Sequence, residues 1–268
     1  SINGSGSSSP APGADDNASG TAGVMEAARV LANGGPYRHT LRFIDFSGEE
    51  FGLYGSAYAA NLSDNLDEDI IAMLNMDMIA YRASGEPLDL CMVTSNTSGT
   101  LNAFMVDVGA AYVPTLTLTS GALGGGSSDH ASFNARGIPA TWPFEDLPNY
   151  SPYIHSANDV VGTSANDFNL AAMSTQLCLA AVAELAVPAS MDIVHTPLAN
   201  SVDPFGPFQV RATVTSRTNT AMANVQLLGS DAGGPFTIAM VRANQPGEWI
   251  ADIPGQPVGT MVHYRIEA

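Results

Sequence analysis

From Gly20 to Gly34, Val24, Ala27, Ala28 and Leu31 recur at helical spacing, and Gly34-Gly35 supplies a stop. Thr40 to Phe46 (TLRFIDF) reads as a strand, Ser47 to Glu50 as a turn, and Phe51 to Leu62 as a second helix. Ile70 to Ile79 is a largely apolar run, the pattern of a central strand covered on both faces. Strands at Leu88–Thr94, Thr115–Thr119 and Ile138–Pro143 then alternate with helices at Leu101–Ala111 and Asn169–Ala186, with a glycine-rich loop at Gly121–Ser128. Strands alternating with helices predict an α/β domain with a mainly parallel sheet.

The pattern changes at Val187-Pro188. Short alternating stretches follow at Phe208–Ser216, Ala223–Leu228, Phe236–Arg242, Glu248–Ile253 and Met261–Ile266, with turn signals between them, the first at Arg217–Thr220. This is the signature of a small all-β sandwich. Two domains are therefore expected, at residues 1–187 and 192–268.

Composition narrows the function classes. Charged residues are only 13% of the 268, and 9 Lys and Arg stand against 26 Asp and Glu, a net charge of −17. Such a surface repels phosphate, which excludes nucleic acid and electrostatic docking on an anionic membrane. The apolar stretch Leu177–Val187 is broken by Glu184 and falls short of the ~20 residues that span a bilayer, so no membrane insertion is expected. Cys91 and Cys178 lack CxxC spacing and read as buried free thiols. Few Lys, many Ser, Thr, Asn and Gly, and the acidic balance suit a secreted protein. Neither a signal peptide nor an initiator Met is present, and the chain reads as a fragment cut at both ends.

Four places could carry chemistry. Asp15-Asp16-Asn17 precede the first helix, as turn formers and N-caps do, yet a carboxylate there also suits a metal. Glu49-Glu50 are either solvated surface or, at the end of a strand, groups aimed into a ligand crevice. Asp77 lies inside an apolar run, where a carboxylate is costly unless paired, hydrogen-bonded or metal-bound. His155 and His130 are structural or functional, whereas His39, His195 and His263 have no acidic cluster around them. Carboxylates with one imidazole suit Zn²⁺ or a comparable divalent ion, and an unligated Glu beside them suits a general base.

The order G-A-D-D-N-A-S-G, S-G-E-E-F-G-L-x-G-S, N-M-D-M-I-x-Y, S-D-H-x-x-F and I-H-S-x-x-D resembles the secreted bacterial leucyl aminopeptidases. These are di-zinc exopeptidases of clan MH, together with aminopeptidase Y. The resemblance covers about residues 1–186 and implies an α/β/α sandwich around a mixed, mainly parallel sheet. It implies two Zn²⁺ ions: Asp16 bridging them, Glu50 and His155 completing one site, and Asp77 serving the other. Glu49 would be the general base toward a metal-bridging water. Asp15, Asn17, Ser128, Asp129 and His130 match positions behind the ligands, and Met78 a position near the bound substrate terminus. The implied substrates are peptide or protein N-termini, and the implied setting is extracellular and bacterial.

The family's remaining ligand is a His in an H-x-D motif immediately before a Ser that matches Ser1, so that motif is expected directly upstream. No counterpart of the carbonyl-polarising Tyr of relatives, nor of the disulfide some of them carry, is found in Gly121–Ser128. Two alternatives accompany the aminopeptidase reading. One is another activity on the same scaffold, carboxypeptidase or glutaminyl cyclase; the other is a non-catalytic binding module with the β-sandwich as its contact surface.

Overall fold

The computed structural model describes residues 10–147, 149–187, 191–216 and 224–268. The expected turn at Arg217–Thr220, the first residue of the expected strand at Ala223–Leu228, and much of the N-terminal loop lie outside them. The chain divides into two units, Ser1–Val187 and Pro188–Ala268.

In the first unit, α1 (Ala18–Gly34) starts where Asn17 accepts a hydrogen bond from Gly20 N. This side-chain cap satisfies one of the free amides of the first turn. Helix α2 (Tyr54–Asn65) follows the Glu49-Glu50 turn, then come β1 (Met73–Leu74), β2 (Asp89–Val93) and α3 (Gly99–Tyr112). The unit ends with β3 (Thr117–Gly121), α4 (His130–Asn134), β4 (Ala140–Thr141), β5 (Pro143–Glu145) and α5 (Phe168–Ala186). Strand β2 is buried along its whole length. It pairs parallel with β3 and antiparallel with β5, giving a mixed sheet, while β1 pairs parallel with β4.

Helices α1, α3 and α5 cover this sheet through one apolar core that includes Ala27, Ile79, Leu90, Met92, Met105, Val108, Leu170 and Leu177. Helix α5 runs 19 residues and is apolar enough to cross a membrane by length and composition, which the shorter stretch Leu177–Val187 is not. Its buried positions Leu170, Leu177, Cys178 and Ala181 belong to the core. Both cysteines are free and buried.

Two expected strands differ. Thr40–Phe46 forms no ladder among the described residues, and Ile70–Ile79 contracts to the two residues of β1. A strand is a property of a pair, and apolar content alone does not supply the partner. At the far end of the second run, Met78 takes a left-handed φ of 58°, which no strand tolerates.

The second unit contains β6 (Met191–His195), β7 (Phe208–Ser216), β8 (Gln226–Asp231), β9 (Gly234–Ala239), β10 (Val241–Arg242), β11 (Glu248–Ile253) and β12 (His263–Glu267). They form antiparallel sheets in the orders β10-β11-β7-β6 and β12-β8-β9. Strand β7 alternates buried Val210, Ala212 and Val214 with exposed positions, and these pack with Leu227, Trp249 and Ile253. Period-two alternation with one apolar face is what two facing antiparallel sheets need.

Candidate metal centre

The site is built from turns at the ends of elements. Asp16 sits in the turn before α1, Glu49 and Glu50 in the turn before α2, Asp77 just past β1, and His155 in a turn between β5 and α5. Glu49 O accepts from Gly52 N (2.9 Å) and Leu53 N (2.8 Å), which closes its turn.

Asp16, Glu50 and His155 each present a ligand atom, and these atoms lie within 4.8 Å of one another. His155 Nε2 is 2.8 Å from Glu50 Oε2 and 3.3 Å from Asp16 Oδ2. His155 carries a left-handed φ of 55°. A non-glycine residue pays roughly 1–3 kcal/mol for such a conformation, and residues of this kind cluster at functional sites.

Asp77 is buried beside this cluster without joining it. Its Oδ2 accepts from Ser128 Oγ (2.6 Å), whose oxygen in turn accepts from Asn75 Nδ2 (2.8 Å). Its Oδ1 is buried with no hydrogen-bond partner among the described residues. Burial first, and then Asp16, Glu49 and Asp129 nearby, hold the Asp77 carboxyl well above the usual carboxylate range.

The same crowding acts on its neighbours. Burial, followed by the charge of Glu50, raises Asp16 to about 6. Burial, followed by Glu50, Asp129 and Asp16, raises Glu49 to about 7. Carboxyls buried together repel until a cation or protons neutralise them. Two carboxylates and an imidazole converging on one point, with a lone buried carboxylate oxygen alongside, fit a divalent ion such as zinc. A cleft of about 1200 Å³ opens beside the cluster, faced by Asp16, Glu49, Glu50, Asp77 and Asp129.

The other expected positions differ in their relation to this cluster. Asp15 is fully buried, and its Oδ1 accepts from Ala80 N (3.0 Å). Asn17 caps α1 and also donates to Met76 O (3.1 Å), so the Asp16 turn is tied to the residue preceding Asp77. Gly20 is required by the same approach, because a Cβ there would overlap the Met76 carbonyl. Asp129 is buried at the start of α4.

His130 stands apart from the carboxylates. It is fully buried against Trp142 at 4.9 Å, with Nε2 on Ser95 O (3.1 Å), and desolvation lowers it to about 4. Met78, Trp142, Phe144 and Val93 form a small buried cluster walled by Leu123, Leu147, Tyr150 and Ile154.

Three buried carboxyls among the described residues, Asp89, Glu145 and Asp159, had no role assigned from the sequence. Glu145 accepts from Tyr81 N (3.1 Å) and Ser151 N (2.7 Å), and Asp159 from Asp15 N (2.9 Å) and Asp16 N (3.2 Å). Glu145 ends the apolar stretch Ala140–Phe144, so the test that singled out Asp77 would have found it.

The turns that carry Asp16, Glu49 and Glu50 thus line a cleft in a mixed α/β unit. Residues 4–180 match peptidase family M28, and the chain belongs to that family. A probable leucine aminopeptidase of Trichophyton verrucosum is 34% identical over 183 residues, covering 66% of this chain and 48% of the relative. The crystal structure of the LapA aminopeptidase of Legionella pneumophila superposes with a TM-score of 0.62 at 29% identity, over 66% of this chain and 48% of that one. BSAP, a zinc aminopeptidase from Bacillus subtilis, gives 0.56 at 29% identity, over 66% and 43%. The chain thus spans about half the length of the curated relatives it matches.

Proposed function

We propose that this protein is a zinc-dependent aminopeptidase that removes N-terminal residues from peptides. The observation that carries the reading is the convergence of Asp16, Glu50 and His155 within 4.8 Å, with Glu49 adjacent in the chain to one of them. Asp16, Glu50 and His155 hold one zinc ion; Asp16 and Asp77 serve a second. Zinc supplies Lewis acidity toward a peptide carbonyl and toward water.

Glu49 is the general base: its carboxylate takes a proton from the attacking water and returns it to the departing amine. The carboxylates facing the cleft attract the positively charged amino terminus of a peptide. Ser128, itself held by Asn75, keeps one oxygen of Asp77 occupied, while the other has no hydrogen-bond partner among the described residues and is available to a metal ion. The "leucine aminopeptidase" name of the fungal relatives supports an apolar first residue. Residues 1–187 form the catalytic domain and 192–268 an accessory β-sandwich, in an extracellular protein.

Hydrolysis of leucine p-nitroanilide tests this, with Zn²⁺ or chelator added and with Glu49→Gln beside the parent chain. Zinc-dependent turnover that falls at least 100-fold in the variant, with zinc still bound, is expected. Zinc binding with no turnover toward any aminoacyl p-nitroanilide would favour a binding module instead.

A further inference from the structure

We infer that Asp159 is a positioning residue for this metal centre, holding the Asp16 turn and the His155 turn in one register. The inference rests on the metal-binding reading above.

Three consecutive backbone amides converge on Asp159. Ala14 N donates to its main-chain oxygen at 3.1 Å, Asp15 N to Oδ1 at 2.9 Å, and Asp16 N to Oδ2 at 3.2 Å. Successive amides turned to one side make a concave anion site, and here the anion is a side chain of the protein. Both carboxylate oxygens are thereby used, and Asp159 is fully buried. Hydrogen bonds from amides to a carboxylate are among the stronger ones, and they offset the cost of burying it.

Asp159 belongs to the His155 turn. Its own N–H donates to Ser156 O (3.3 Å), Ser156 Oγ donates to Tyr153 O (2.7 Å), and Asn158 N donates to Ser156 Oγ (3.2 Å). The segment from Tyr153 to Asp159 is therefore braced internally, with His155 inside it. One end of this brace presents an imidazole to Asp16 Oδ2, and the other grips the Asp16 backbone. The contact spans 143 positions in sequence and fixes two ligands against each other before any ion is bound. Groups that orient metal ligands typically contribute 10- to 100-fold in affinity.

The test uses the full chain and Asp159→Asn. Asparagine keeps the shape and one accepting oxygen but turns an NH₂ against the second amide. The expected result is an unchanged far-ultraviolet dichroism spectrum, a Zn²⁺ dissociation constant raised about 10- to 100-fold, and an altered visible spectrum of the Co²⁺-loaded protein. A residue that only supports the fold would lower the melting temperature and leave the cobalt spectrum unchanged. A folded variant with parental zinc affinity and cobalt spectrum overturns the role of Asp159 alone. Failure of the parent chain to bind zinc overturns the metal reading and this inference with it. Should the variant not fold, amide hydrogen exchange of the metal-free parent decides. Slow exchange at Asp15 and Asp16 supports the clamp, and exchange at the rate of open backbone there overturns it.

Discussion

Ser128 donates its hydroxyl proton to Asp77 Oδ2 across 2.6 Å while accepting from Asn75. The hydroxyl occupies one oxygen of a fully desolvated carboxyl and leaves the other unpaired. Ser128→Ala removes the donor and strands the Asn75 amide as well. A loss of about 1–3 kcal/mol is expected, read as a fall of several degrees in melting temperature. A melting temperature unchanged within a degree would show that water replaces the hydroxyl.

Gly20 faces the Met76 carbonyl, with no room for a Cβ. Gly20→Ala gains about 1 kcal/mol of helix propensity inside α1 but must push the helix away from the Asp77 segment. The clash wins: net destabilisation of about 2 kcal/mol is expected, with weakened zinc binding measured by titration. A stabilised variant would mean that α1 does not seat this closely.

Two buried groups give opposite pH dependence. His130 titrates at about 4 in the folded chain against an ordinary 6.5. Between those values the unfolded chain binds a proton that the native state does not, so stability falls as pH drops through this window, by at most about 1.4 kcal/mol per unit. Glu145 is shifted upward by burial and by Asp15, so its contribution is present below 4.5 and lost as pH rises through its folded value. Denaturant melts in chelator should show the acid-side slope reduced in His130→Phe. The alkaline-side loss should be reduced in Glu145→Gln. Slopes identical to the parent in both variants would refute the assignment.

On the proposed reading, zinc binds the native state through Asp16, Glu50 and His155, which the unfolded chain does not bring together. At a free concentration one hundred times the dissociation constant, linkage stabilises the fold by about 2.7 kcal/mol. Chelation should reverse it, and the gain should shrink below pH 6, where Asp16 takes up a proton. A melting temperature indifferent to zinc at pH 7.5 would count against a site at Asp16, Glu50 and His155.

Helices were legible because their signals are local. The expected Asn169–Ala186 became Phe168–Ala186, and Leu101–Ala111 became Gly99–Tyr112, with Asp167 and Ser98 supplying caps. Thr40–Phe46 failed as a strand because a ladder needs a neighbour that its own residues do not encode. Asp77 was legible as a carboxylate among apolar residues. Asp159 closes the I-H-S-x-x-D stretch, yet its role was not legible, because its partners are backbone amides, which every sequence contains.

Asp16 and Asp159 meet across 143 positions, and this sets an order of events during synthesis. At elongation rates of about 5–20 residues per second, Asp16 leaves the ribosome roughly 7–29 s before its clamp. Until then the amides of its turn lack their acceptor, and the His155 imidazole that lies beside Asp16 has not been made. On the proposed reading, early zinc capture by the nascent chain is thereby disfavoured, and the site is completed late, after most of the domain's sheet is available to hold it.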